Sequence, residues 1–264
     1  MTQSSHSQKG KNLLTKLEHI PWKRLSIEAA AIVTSILLAF AIDAWWDELS
    51  DRTAENQYLA ALRQDIQATR VELDNQIEHV SRIMRRVDRV LELVSSNDGP
   101  QLPDDFSTAV GDAYGIRQPN FITSTYQDMV NSGNLRLVRN EETRLAMADL
   151  IELLDEVDYQ ALLINETYWT HHATFSDKNL VVSDFGWFSA SNNDFNTEWA
   201  AIFGNTPQSK FDIDIEAVRS KEFWNLMFDW KVMYADQLGP LLEARNRCEE
   251  LLKLIADQID IEGR

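Results

Sequence analysis

The chain has 264 residues, 44% of them hydrophobic and 25% charged, which excludes both a disordered chain and a polytopic membrane protein. Nine Gly and six Pro are few for this length and favour long helices over a many-turned β architecture. The net charge of −17 repels phosphate backbones, so no nucleic acid is expected among the partners.

The charge is unevenly placed. Residues 1–24 hold Lys9, Lys11, Lys16, Lys23 and Arg24 against Glu18 alone, a local balance of +4 that leaves −21 on the rest. An apolar segment follows from Leu25 to Trp46, 22 residues. At about 1.5 Å per residue it reaches roughly 33 Å, enough to cross a bilayer. Its uninterrupted stretch is shorter, 14 residues from Ala29 to Ile42, between Glu28 and Asp43. Lys23 and Arg24 precede the segment and no base follows until Arg52. That asymmetry places the tail, 1–24, in the cytoplasm and the body, 47–264, outside it. Trp22 and Trp45-Trp46 fall where the two interfaces would be. The alternative is a signal peptide cleaved at Ala39-Phe40-Ala41, against which stand the long basic region and a helical pattern that continues past Trp46.

Glu28, Ala31, Ser35, Ala39 and Asp43 recur at three- and four-residue steps and form one stripe on a helix. Small residues allow a second helix to approach, and the terminal acids can bond across such a contact. This stripe is the candidate helix–helix contact in the membrane, for self-association or for another membrane protein. The bland alternative is that both acids reach the headgroup zones.

Beyond the span the pattern stays helical to about Val94, with no Pro or Gly from Leu25 onward. Those 70 residues make a helix of about 105 Å if continuous. Leu59, Ile66, Leu73, Val80, Val87 and Val94 recur every seventh residue. Leu62, Thr69, Gln76, Ile83 and Val90 complete a heptad seam with two polar interruptions. Arg63, Asp65, Arg70, Glu72, Asp74, Arg82, Arg85, Arg86 and Asp88 read as the solvated face. The seam fits an intermolecular coiled coil, or a bundle within one chain, which the two further long helical patterns favour.

Ser95-Ser96-Asn97-Asp98-Gly99-Pro100 ends the helix. Asp104 or Asp105 is expected to cap a short helix reaching Tyr114. In the connector 116–140, Ser132-Gly133-Asn134 is expected to close a helix containing Tyr126 to Val130. Leu135, Leu137 and Val138 should enter the core, and Asn140 should cap the next helix with Glu141 and Glu142 at its positive end.

Ile27-Glu28 and Asp43-Ala44-Trp45 bracket the span. Thr125-Tyr126 precedes Ser132-Gly133-Asn134-Leu135-Arg136-Leu137-Val138-Arg139-Asn140. Together they resemble a family of uncharacterised bacterial single-span membrane proteins, with Val138 where that family has Ile. The resemblance covers 25–60 and 119–160. It implies a membrane-anchored extracytoplasmic domain and no particular chemistry.

The second long helix is expected over about 141–170, with Met147, Leu150, Leu154, Val157, Ala161, Ile164 and Tyr168 inward. Residues 173–212 are irregular and aromatic-rich. Their Phe185, Trp187, Phe188, Phe195 and Trp199 form a candidate partner surface, or else a roof over the core. A last long pattern runs over about 214–259, where Gly239-Pro240 should kink or split it. Cys248, the only cysteine, rules out an internal disulfide and reads as a small core residue. The final Ile261-Glu262-Gly263-Arg264 matches a protease-cleavage linker.

Chemistry is faintly marked. His171-His172, with Asp177 nearby, cannot both face one ligand from a helix, so the pair reads as an exposed helix end stabilised by cationic imidazole. Asn192, Asp194, Asn196 and Glu198 alternate as oxygen donors, but without the Gly and final Glu of a calcium loop. No nucleophile elbow, phosphate loop, zinc or thiol–disulfide motif is present, so no cofactor, metal or catalytic residue is assigned. The expected fold is all-α: a transmembrane helix continuing into an extracytoplasmic antiparallel helical bundle with an irregular aromatic-rich insertion. The expected function is a membrane-tethered interaction or scaffold protein, an accessory subunit of an envelope complex. Alternatives are a periplasmic ligand-sensing bundle acting through a partner, which the mere 24 cytoplasmic residues make dependent on that partner, and an envelope hydrolase, which lacks any catalytic constellation.

Overall fold

The computed structural model describes residues 22–96, 99–181 and 212–262. Among them the protein is all-helical, with no strand. The chain divides into two compact units, Met1–Glu55 and Asn56–Arg264. Helix α1, Trp22–Ser95, runs without a break, as the absence of Pro and Gly requires. In the first unit it is apolar enough over its N-terminal part to cross a membrane, with a mean hydropathy of 2.2 and no part of that window buried.

The second unit is built on the seam. Leu59, Leu62, Ile66, Leu73, Val80, Ile83, Val87 and Val90 are buried, and the seam is covered within this one chain. Its cover comes from α2 (Phe106–Ala113), α4 (Glu141–Thr167) and α7 (Lys221–Glu262). Met147, Leu150, Leu154, Val157, Ala161 and Ile164 are the buried stripe of α4, as the periodicity predicts. From α7 come Phe223, Met227, Trp230, Leu241, Cys248, Leu251 and Ile255. Each fully buried aliphatic side chain contributes about 1.5–3 kcal/mol, so this shared core is the main driving force. Ion pairs fix the direction of α7. Arg70 meets Glu249, Asp74 meets Arg245 and Asp88 meets Lys231, so numbers fall along α7 as they rise along α1.

The chain returns along α1 through the connector. Helix α3, Ser124–Asn131, is capped by Ser132 and followed by Gly133, whose φ of 72° is the left-handed conformation expected there. The Asn140 side chain accepts from the Thr143 N–H at 3.2 Å and caps α4 as expected. Val138 and Leu137 are buried beside it. Asp105 does precede α2, but its carboxylate makes no cap and takes the Arg89 guanidinium at 3.0 Å instead.

Two further differences have local causes. After α4 the helical path continues through a π turn, Tyr168–His172, into α5, Ala173–Asn179, so it does not end at the histidines. Near the last helix, α6 (Ile215–Val218) is separate, and the break falls at Arg219-Ser220, where the Ser220 hydroxyl accepts from the Phe223 N–H. Helix α7 then runs unsplit through Gly239-Pro240. A side chain before proline would crowd its ring, and Gly239 has none; the helix passes with the Asp236 carbonyl left without its usual donor and facing the ring.

The polar residues of α1 hold the connector. Asp65 accepts from the Ser124 hydroxyl and the Thr125 N–H, closing the start of α3. The Thr69 hydroxyl donates to the Ile122 carbonyl at 3.1 Å and accepts from the Ile122 N–H at 3.0 Å. Glu72 takes Arg117 at 2.9 Å and also accepts from Gln76. Asp65, Glu72 and Arg86 are therefore no plain solvated face; Arg86 donates to the Asp112 carbonyl at 3.1 Å. Thr69→Val keeps the shape but strands both backbone groups of Ile122. It should cost about 1–3 kcal/mol, read as a lower melting temperature of the full chain in mild detergent. Gly133→Ala should cost about 1–2 kcal/mol in the same measurement, from its left-handed backbone.

Candidate functional site

Four segments converge on the end of α2. Tyr114 follows α2 there, Tyr168 and His172 come from the π turn, Trp230 and Tyr234 from α7, and His79 from α1. All six are buried. The π turn widens the helix by one residue, which leaves His171 exposed and turns His172 inward.

The polar atoms of this cluster answer one another. Trp230 Nε1 donates to the Ala113 carbonyl at 2.8 Å. The Gly115 carbonyl accepts from the Tyr234 hydroxyl at 2.9 Å and from His79 Nε2 at 3.1 Å. His172 Nδ1 lies 3.2 Å from the Tyr114 hydroxyl. Its ring is 4.5 Å from that of Trp230, centre to centre, and Tyr114 meets Tyr168 and His172 edge-on. Gly115 allows the approach: a Cβ there would lie 3.0 Å from Ile83 Cδ1.

Burial sets the protonation states. It holds the His172 imidazole at about 3, against an ordinary 6.5, with the neighbouring His171 a smaller cause. His172 is thus neutral, not the cationic helix end that adjacent histidines suggest. Burial also pushes the Tyr114 and Tyr234 hydroxyls up, so both stay protonated. His172, Tyr114 and Tyr234 thus enter the cluster as neutral groups among packed rings, chemistry suited to joining helices. Periodicity turns Tyr168 inward but does not announce the cluster, because its members come from four segments and two of them sit on a π turn. Cys248 is equally quiet: burial pushes its thiol up to about 12, which keeps it protonated.

The span stripe has its own geometry. Glu28, Ala31, Ser35, Ala39 and Asp43 share one face of the regular helix α1, and all are exposed. Glu28 pairs with Arg24 at 3.0 Å, and the Ser35 hydroxyl donates to the Ala31 carbonyl at 2.8 Å. Phe185, Trp187, Phe188, Phe195 and Trp199 lie outside the described residues, as do Asn192, Asp194, Asn196 and Glu198. Among the described residues no group of three or more His, Cys, Asp or Glu is placed to hold a metal.

A recess of about 20 Å³ lies between α1 and α4, lined by Leu62, Ile66, Met147 and Leu154, with room for about one water. An open groove of about 700 Å³ runs between the start of α4 and the end of α7, with Glu141, Glu142, Asp149, Glu250 and Asp257 against Arg247 and Lys253.

A neutral buried base gives a sign to the acid response. His172 binds a proton in the unfolded chain below about pH 6.5 and in the folded one only near pH 3. Its contribution is whole above 6.5 and is lost as pH falls through that window, by at most about 1.4 kcal/mol per pH unit. His172→Gln should therefore flatten the fall in melting temperature between pH 7 and 5. An unchanged slope would place the acid sensitivity elsewhere. No family model, no curated protein and no solved structure matches the chain.

Proposed function

We propose that the chain is a membrane-tethered interaction or scaffold protein, an accessory subunit of an envelope complex. In this reading α1 crosses a bacterial inner membrane, the basic tail is cytoplasmic, and residues 47–264 form an antiparallel helical bundle in the periplasm. The observation that carries it is the contrast along one unbroken helix. Leu25, Ile32, Ile36, Leu38, Phe40 and Trp46 are exposed, whereas the seam from Leu59 onward is buried. Exposed apolar residues on every side of a helix are at home in lipid. The bases before the span and the tryptophans at its ends support the orientation.

The stripe through Glu28, Ala31, Ser35, Ala39 and Asp43 is the contact through which the span self-associates or meets another membrane protein. Small residues suit close packing there. A sensor of small molecules has less support among the described residues: ligand sites usually enclose about 300–1,000 Å³, whereas the recess at the core holds about one water and the groove of about 700 Å³ is open and lined mostly by charged side chains.

Topology and assembly are tested together in the native membrane. A cysteine at Asp104 should react with a membrane-impermeant maleimide in intact spheroplasts, and one at Ser5 only after permeabilisation. Cys248 is buried and gives little background. The reverse labelling pattern, or extraction of the protein by carbonate, overturns the tether. In blue-native electrophoresis the chain should run in a discrete complex, and Ala31→Leu with Ala39→Leu should reduce it. A complex unchanged by that pair removes the stripe from the proposal.

A further inference from the structure

The outward face of α4 has a composition that no other described part of the fold uses. Tyr159, Leu162 and Leu163 are exposed, and their spacing of three and four residues puts them side by side. Trp169 extends the patch from the π turn and is 65% exposed. Acids surround it: Asp155, Asp158 and Glu166 are exposed on the same helix. From Leu145 to Asp177 the chain has no Lys or Arg. Asp149 does find Arg247 across the groove, but among the described residues Asp155, Asp158 and Glu166 meet no base. The Asp158 side chain is exposed overall, but partial burial of its carboxyl, and after it the charge of Asp155, push it up, so the two carboxylates repel.

This chemistry selects the occupant. An anionic lipid surface is repelled by the acids. A second copy laid on the same face would bring like charges together, in a chain already at −17. A helix that is apolar on one side and basic along its margins satisfies both features, burying the patch while its cations neutralise the rim. We infer that the Tyr159–Leu162–Leu163–Trp169 face of α4 docks a basic amphipathic helix of a partner protein. This rests on the interaction-protein reading and gives that partner's chemistry.

The test uses the full chain in nanodiscs of zwitterionic lipid. The probe is a fluorescein-labelled 18-residue helix of leucine on one face and lysine on the other, followed by anisotropy. Leu162→Ser with Leu163→Ser should weaken binding at least about tenfold, and so should Asp155→Asn, Asp158→Asn and Glu166→Gln together. Asp104→Asn, Glu222→Gln and Asp229→Asn remove as many exposed acids elsewhere and should change it less than about twofold. Equal weakening by this control set would mean attraction by net charge alone, and would overturn the proposal. So would binding unaffected by the face variants, with circular dichroism confirming that they fold. In cells, a benzoylphenylalanine at Leu163 should crosslink to a protein through a basic amphipathic segment. A crosslink to a second copy, or to lipid, overturns the proposal. A complex that survives the face variants in blue-native electrophoresis removes this site but keeps the tethered-interaction reading, whereas a lone monomer removes both.

Discussion

Asp65, Thr69, Glu72 and His79 stand in one row along α1 and take hold of the segment that returns beside it. Each partner lies far off in sequence: Thr69 and Ile122 are 53 residues apart, Glu72 and Arg117 45, His79 and Gly115 36. The segment from Gly115 to Thr123 has no secondary structure of its own, so its backbone groups must find partners elsewhere. The row supplies several, and in doing so sets the height of α2 against α1. That height decides where the Ala113 and Gly115 carbonyls lie, and those carbonyls receive Trp230 and Tyr234 of α7. The register of the last helix therefore passes through a row of polar residues on the first.

Magnitudes separate two roles. The pairs between α1 and α7 are partly exposed, and such pairs contribute about 0–1 kcal/mol each. The aliphatic seam, by area, supplies far more but is indifferent to a sliding partner. Hydrogen bonds to buried backbone groups are the opposite case. They add about 0.5–1.5 kcal/mol when made and cost about 1–3 when broken, which penalises every wrong register. Apolar burial thus drives the helices together, and Thr69, His79 and Tyr234 determine which arrangement forms. Of the two polar interruptions of the seam, Thr69 reaches the connector, whereas Gln76 bonds back to Glu72 on its own helix.

The seam, the stripe of α4, the turn at Gly133 and the Asn140 cap were readable because each depends on residues within one or two helical turns. Asp65, Glu72 and Arg86 were not. Their charge and position give a solvated face, and only the arrival of the connector makes them structural. His172 was misread for a similar reason: adjacent histidines after a helical run look like a helix end, yet a π turn continues the path and buries one of them. Asp105 sits where a cap belongs and is drawn away by Arg89. Gly239-Pro240 is a break signal whose first residue relieves one of its steric causes, the crowding of the preceding side chain against the proline ring. The partner surface expected at Phe185 to Trp199 lies outside the described residues, and the exposed apolar face of α4 was hidden by reading that helix for its buried stripe alone.

A polar or aromatic residue already matched inside the fold has its position explained by the fold. Tyr114, His79, His172, Trp230 and Tyr234 are in this way consumed in joining four segments, and the ladder on α1 in holding the connector. Among the described residues there remains a surface whose composition works against the isolated chain: apolar residues in water, and carboxylates beside one another without a base. Such a surface adds nothing to the core and raises the cost of solvating the fold. The same holds for the apolar part of α1, whose side chains are exposed along the whole of its most apolar stretch. On the proposed reading, what meets the molecule from outside accounts for both features, a bilayer in one case and a basic helix in the other.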